Sequence, residues 1–353
     1  MKRFYIDALN KSTFGAMYYD ACAKPHSDAE KIANALGFES IYLYGSRLSK
    51  LGKPIWKKIL LHAYNLSYQA YVLWQARKLN SIHNADIFIQ YGFSTEAMFS
   101  IVNKLKKNGN RIILLVHDVE SFRFKSVWKS EQNLFSNTDI VIVHTVPMAE
   151  RLKELGYKGK VEVLEFFDYL NDYKTVSPTA DIRKQIDIVF AGNLDKSMFI
   201  RKLNTLKAHP DFHFFLYGKY TGELITNDFV QYKGFFQNDD IAAIEGTWGL
   251  VWDGEETTSC AGNFGEYLKI NAPFKLSLYL AKGLPVIVWE ESAMAHYVKK
   301  YHLGITVNSL DDIYDTIHNL TPEQITLIEE EVRVFSQNVK SGKMLSAALN
   351  KVL

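Results

Sequence analysis

The sequence predicts an α/β protein of two doubly wound domains facing a central cleft, and three observations lead there. Short runs rich in β-branched and aromatic residues recur, apolar on both faces and spaced by helix-length segments, as parallel strands covered on both sides require. The pattern lapses once, from Asn171 to Lys184, and then restarts. At about 150 residues per domain, a chain of 353 residues fits two such units.

In the first unit, residues 1–168, the strand-like runs are Phe4 to Leu9, Ile41 to Tyr44, Ile87 to Gln90, Ile112 to Val116, Ile140 to Val143 and Val161 to Leu164. Ser27-Asp28-Ala29-Glu30 reads as a capping box ahead of Ile32 and Leu36, and Thr145-Val146-Pro147 places a cap and an early proline before a helix from Met148 to Leu155. The polar stretch through Ser177-Pro178-Thr179 reads as a linker, residues 169–184. The second unit, residues 185–339, has runs at Ile186 to Phe190, Phe212 to Tyr217, Val230 to Tyr232, Trp248 to Trp252, Pro285 to Trp289 and Gly304 to Val307. Thr321 to Leu353 reads as one continuous helical tail, apolar at Ile325, Ile328, Val332, Phe335, Leu345, Leu349 and Val352.

Composition removes several classes of function. A hydrophobic share of 47% and a charged share of 23% describe a soluble globular chain rather than a disordered or fibrous one. A net charge of +2, from 41 Lys and Arg against 39 Asp and Glu, gives no reason to expect bulk binding of nucleic acid. Cys22 and Cys260 have no CxxC partner, which argues against a zinc site or disulfide framework and suits a reducing cytoplasm. The N-terminus lacks the apolar core of a signal peptide, and Ile59 to Trp74, interrupted by His62, Asn65, Ser67 and Gln69, falls short of the ~20 apolar residues of a membrane span. Arg47, Lys50, Lys53, Lys57 and Lys58 with Trp56 form a locally basic, aromatic segment, which reads either as a solvated helix face or as a peripheral contact with anionic lipid.

Two doubly wound domains set strand C-termini and helix N-termini around one crevice, a good place for a diphosphate. Neither GxGxxG nor GxxxxGK[ST] occurs, which weighs against a nicotinamide or flavin enzyme and against a Walker-type kinase. The loop Asn10 to Gly15 has one glycine; Ser12, Thr13 and Gly15 are candidates for contact with an acceptor or donor phosphate, and an ordinary strand-to-helix turn is the alternative. The strongest signal is Trp248-Gly249-Leu250-Val251-Trp252-Asp253-Gly254, followed by Gly265 to Lys275 and then by Leu280-Ala281-Lys282-Gly283-Leu284-Pro285-Val286-Ile287-Val288. Pro273 suits a first helical turn, so Asn271 and Lys275 fall beside a helix N-terminus, where free N–H groups and the macrodipole attract an anion.

On these residues the chain resembles the bacterial glycosyltransferases of the GT-B fold. Within them it is similar to the group of enterobacterial galactofuranosyltransferases and streptococcal glucosyltransferases that act on serine-rich adhesins. Shared wording includes Val116-His117-Asp118, Phe190-Ala191-Gly192-Asn193-Leu194, Gly249 to Gly254, and Tyr267-Leu268-Lys269 through Pro273-Phe274-Lys275. The resemblance covers most of the chain and is weak before Ile87. It implies a UDP-sugar donor bound by the second domain, a saccharide acceptor, lipid-linked or on a protein, and no cofactor or metal beyond the donor. It also implies that the last helix, residues 340–353, returns to the first domain. A galactofuranosyl donor is favoured, with glucosyl next, in an inverting transfer. One position departs: where many GT-B enzymes carry a ribose-binding glutamate, this chain has Leu278.

Within that frame Gly192, Asn193, Leu194 and Lys196 leave a buried strand with suitable chemistry for phosphate oxygens. Tyr217, followed by Gly218, ends the next strand; its ring either stacks on uracil or packs in the core. Inverting transfer needs a base for the acceptor hydroxyl, and Asp118, His117 and Glu120 are the candidates, with loop or donor positioning as the alternative role. The sequence leaves open a GT-B epimerase or phosphorylase, a non-catalytic glycosyltransferase-like partner protein and a homo-oligomeric state.

Overall fold

The computed structural model describes residues 1–8, 23–43, 67, 70–71, 73–91, 96–124, 129–174, 182–223 and 226–353. Its first sheet contains β1 (Arg3–Ala8), β2 (Glu39–Leu43), β3 (Asp86–Tyr91), β4 (Arg111–Val116), β5 (Ile140–Val143) and β6 (Lys160–Val163), all parallel, in the order β2-β1-β3-β4-β5-β6. The second contains β7 (Ile186–Ala191), β8 (Phe212–Tyr217), β9 (Val230–Gly234), β10 (Trp248–Val251), β11 (Val286–Trp289) and β12 (Gly304–Val307), parallel again, in the order β12-β11-β10-β7-β8-β9. Both orders are doubly wound, reversing direction between β1 and β3 in the first sheet and between β7 and β10 in the second, where ligands of such sheets bind.

The alternation of side chains explains why the strand runs are apolar throughout. In the first sheet Ile87, Ile89, Tyr91, Ile112, Leu114, Val116, Val141 and Val143 feed one core. The residues between them, Phe88, Ile113, Leu115, Ile140 and Ile142, feed the other. Period-two alternation with both faces covered leaves no polar face to write.

Helix boundaries depart from the sequence reading in two places. The helix Ala23–Ala35 begins before Ser27, so the expected capping box lies inside it. Asp28 is instead held by Lys24 one turn earlier (2.7 Å) and by the Leu170 N–H (2.9 Å). Thr145 does cap its helix, accepting from the Met148 N–H with Pro147 in the first turn. The C-terminal tail is two helices, Pro322–Lys340 and Lys343–Val352, rather than one. The break is Gly342 at φ +79°, a conformation L side chains rarely adopt, packed so closely that a Cβ would lie 2.8 Å from Ile32.

The two tail helices serve different sheets. Ile325, Ile328, Val332, Phe335 and Val339 join the core of the second sheet. Leu345, Ala348, Leu349 and Val352 join Tyr5, Phe88, Ile113 and Ile142 on the first. Among the described residues no helix is long and apolar enough to cross a membrane.

Candidate active site

The cleft is built from loops that leave the C-terminal ends of the strands. His117 and Asp118 follow β4 directly, and a short helix, Glu120–Arg123, follows them. Arg123 holds this loop together. Its guanidinium pairs with Asp118 (2.5 Å) and Glu120 (2.9 Å). Glu131 accepts from the main-chain N–H groups of Glu120 and Ser121, at 3.0 and 3.1 Å, fixing the start of the short helix. Burial raises the Glu120 carboxyl above the usual range, opposed by the charge on Arg123.

His117 sits in a polar network whose proton positions follow from its partners. Gln90 donates both amide protons, to the Tyr5 hydroxyl (2.7 Å) and the His26 carbonyl (2.9 Å), so its Oε1 accepts from His117 Nε2–H at 2.6 Å. Nδ1 of His117 then carries the lone pair. Burial, with His26 and His144 close by, pushes the imidazole well below 6.5, which keeps it neutral. The His26 ring lies 4.0 Å from that of His117, and burial lowers it to about 4. Its Nδ1 is a buried atom without a hydrogen-bond partner.

On the opposite wall, Gly192 and Asn193 follow the end of β7. Asn193 accepts from the Lys196 N–H through its side chain (3.2 Å) and is exposed, as is Lys196. Leu194 is buried in the core, so its side chain is removed from the candidate phosphate contacts and only its main chain is left to make them. Gly218, at φ +139°, is pressed against Gly192: a Cβ there would lie 1.8 Å from the Gly192 carbonyl oxygen. Tyr217 corrects the stacking expectation. It is 3% exposed, its ring meets Phe236 edge-on, and its hydroxyl accepts from the Glu245 N–H, so no face is open to a base.

Lys275 enters the first turn of the helix Phe274–Lys282, with Pro273 as its N-cap residue. Its ammonium donates to the Trp252 carbonyl (3.0 Å), lies 3.7 Å from Asp253 and sits over the Phe190 ring. It thus ties the end of β10 to the helix N-terminus. Asn271 Oδ1, just before this helix, is buried without a partner. Leu278 is 7% exposed and belongs to the core, offering no polar contact. Ser12, Thr13 and Gly15 lie outside the described residues, as do Arg47, Lys50, Lys53, Trp56, Lys57 and Lys58.

The two walls meet through groups that the sequence reading did not single out. Phe264 receives the Arg123 guanidinium from the first domain (5.7 Å) and the Lys196 ammonium from the second (5.8 Å). His144 donates Nε2–H to the Val116 carbonyl (2.8 Å), so Nδ1 accepts the Ala272 N–H across the cleft (3.2 Å). Burial holds His144 down to about 4, which preserves that neutral pattern. Its position directly after β5 was the available signal, since strand C-termini line such clefts. Among the described residues no group of three or more His, Cys, Asp or Glu side chains is arranged to hold a metal ion.

Two parallel six-stranded sheets, set with their C-terminal loops around one cleft, make this a GT-B glycosyltransferase fold. The lipopolysaccharide outer core galactosyltransferase WaaB superposes over 100% of both chains with TM-score 0.59 at 13% identity. Sucrose-phosphate synthase from Thermosynechococcus elongatus does so over 100% of this chain and 98% of its own, with TM-score 0.60 at 11% identity. The chain belongs to the Glucosyltransferase 3-like family, whose N-terminal domain matches residues 4–166 and whose C-terminal domain matches residues 188–352. It is 30% identical to the Escherichia coli K12 beta-1,6-galactofuranosyltransferase WbbI over 250 residues, 69% of this chain and 71% of that one. Against glucosyltransferase 3 of Streptococcus gordonii it is 26% identical over 342 residues, 93% of each chain.

Proposed function

We propose that this glycosyltransferase moves a hexosyl residue, galactofuranosyl in the first instance and glucosyl next, from a UDP-sugar to a saccharide acceptor, with inversion and without a metal ion. The observation that carries the reading is the distribution of charge across the cleft. Asp118, held by Arg123, lies on one wall, and Lys196 lies on the other, sharing the Phe264 ring with Arg123. Galactofuranose ranks above glucose because the 30% identity to WbbI exceeds the 26% to glucosyltransferase 3.

In this reading the first domain, residues 1–168 with the last helix, takes the acceptor, and residues 185–339 take the donor. The acceptor hydroxyl attacks the anomeric carbon while Asp118 takes its proton, with the neutral Nδ1 of His117 as the second candidate. The bond from the anomeric carbon to the β-phosphate oxygen breaks, and UDP leaves with the electron pair. Lys196, the Gly192–Asn193 main chain and the free N–H groups at the start of the 274–282 helix meet the charge that develops on the diphosphate. Asn271 Oδ1, buried and unpartnered, is available to a donor hydroxyl.

The test is transfer from UDP-galactofuranose and from UDP-glucose, each with and without a saccharide acceptor and with and without a chelator, the product's anomeric configuration being read by NMR. Transfer with inversion and without metal dependence is expected. Donor conversion without any acceptor would favour an epimerase, and no binding of UDP at millimolar concentration would overturn the enzyme reading.

A further inference from the structure

Tyr267 belongs by sequence to the donor domain, ending the short helix Gly262–Tyr267. By packing it belongs to the acceptor domain. It is 4% exposed and sits in the core built from Ile87, Tyr91, Leu114, Val116 and Phe122 of the first sheet and its loops. Its hydroxyl accepts the Val119 N–H at 3.0 Å, the amide immediately after Asp118. Its ring lies 5.0 Å beneath the guanidinium of Arg123, the group that holds Asp118 and Glu120.

The same segment makes two further contacts across the cleft. Thr145 Oγ1 donates to the Ile270 carbonyl, and the Ala272 N–H donates to His144. The Tyr267 carbonyl accepts from the Asn271 N–H at 3.1 Å, so this residue is bonded both to the stretch that leads into the phosphate-side helix and to the loop carrying Asp118.

We propose that Tyr267 is a positioning residue for transfer: its hydroxyl on the Val119 amide and its ring beneath Arg123 set the Asp118 carboxylate against the donor domain. The inference rests on the reading of Asp118 as the base. The physical reason is geometric, since a base displaced by a fraction of an ångström from the acceptor hydroxyl loses most of its advantage while donor contacts elsewhere are untouched. Tyr267→Phe keeps the ring under Arg123 and leaves the buried Val119 N–H without an acceptor. Tyr267→Leu removes both supports.

The experiment compares both variants with Asp118→Asn in the full chain, reading kcat and KM for the donor, UDP affinity by calorimetry and the thermal midpoint. For Tyr267→Phe the expected result is a kcat lower by about tenfold, the worth of one buried hydrogen bond, with KM and UDP affinity within about twofold of wild type. Tyr267→Leu is expected to lower kcat further. Wild-type kcat in Tyr267→Phe alongside an inactive Asp118→Asn would overturn the positioning role. So would a parallel loss of kcat and UDP binding that follows a lowered thermal midpoint, because that is the signature of a purely structural residue. Full activity of Asp118→Asn is a different result, and it would remove the base assignment itself.

Discussion

The Asp168 carboxylate caps the last helix by accepting the main-chain N–H of Leu345 at 2.8 Å, and its second oxygen takes the neighbouring Met344 N–H at 3.0 Å. Two otherwise orphaned donors at a helix N-terminus are thereby satisfied by a residue 177 positions away in sequence. Burial pushes this carboxyl up to about 7, with the two amide donors opposing and the Asp28 charge adding to the rise. An unfolded aspartate titrates near 3.9, so between about 4 and 7 the folded chain binds a proton that the unfolded chain does not. The contribution to stability therefore grows as pH falls through that window and is lost as pH rises through about 7. Asp168→Asn does not titrate. Thermal melts at pH 8 and pH 5 are expected to show wild type gaining on the variant as pH falls, and a constant gap between the two would contradict the assignment.

Lys275 already holds the Trp252 carbonyl, so in the proposed donor site it would meet a diphosphate from a braced position. Lys275→Ala is expected to weaken UDP by about 1.5–3 kcal/mol, the usual worth of a charge-assisted hydrogen bond. A small drop in thermal midpoint should accompany it, from the lost tie between β10 and the helix. Calorimetry with UDP checks the first expectation; unchanged affinity would move the phosphate site toward Lys196.

The central strands were legible because they are apolar on both faces, a property written locally in the chain, and the edge strands β2, β6 and β9, with polar residues such as Lys160, Glu162 and Gln231, because β-branched or aromatic residues recur there at the same helix-length spacing. Local reading failed where the deciding contact was distant. Ser27-Asp28 has the form of a capping box, yet Asp28 is committed to Lys24 and to Leu170, 142 residues on. Tyr217 at a strand end gave no sign of whether its ring turns outward; its partner Glu245 decides that. Tyr267 and His144 act on groups 148 and 128 residues away, on the facing domain, and no periodicity encodes such a pairing. The reading of Thr321 to Leu353 as one helix failed at Gly342, because the apolar periodicity runs on across the break.

Asp118→Asn is expected to lower the rate of transfer by about 10²–10⁴, the range that a positioned general base supplies. UDP affinity should stay within about twofold, because the candidate donor groups Lys196, Asn271 and Lys275 lie on the other domain. The Arg123 guanidinium keeps Glu120 as a partner in this variant, so the fold is expected to persist. Steady-state kinetics with a fixed acceptor, and a UDP titration of the same preparation, separate the two quantities. Loss of UDP binding in parallel with activity would place Asp118 in donor recognition instead.

The last helix offers a test of how the two domains depend on one another. Leu349 is fully buried, with Leu345 and Val352 beside it, on the face of the first sheet that also packs the helix Ala23–Ala35. Arg111 adds a contact to the Leu353 carbonyl, and Lys351 pairs with Glu162 on β6. Removing residues 341–353 strips this face of three large aliphatic side chains, each worth about 1.5–3 kcal/mol of burial, and takes both main-chain donors from Asp168. The first domain should then melt at a lower temperature, and transfer should fail, since the acceptor-side loops are borne by that sheet. UDP binding should survive, because the helices proposed to carry the donor, Phe274–Lys282 and Pro322–Lys340, pack chiefly in the core of the second sheet, with Phe274 also reaching the first. Leu349→Ala is the milder form, expected to cost about 2–5 kcal/mol and to lower the thermal midpoint without abolishing UDP binding. Full transfer activity in the truncated chain would show that the last helix is dispensable to the cleft.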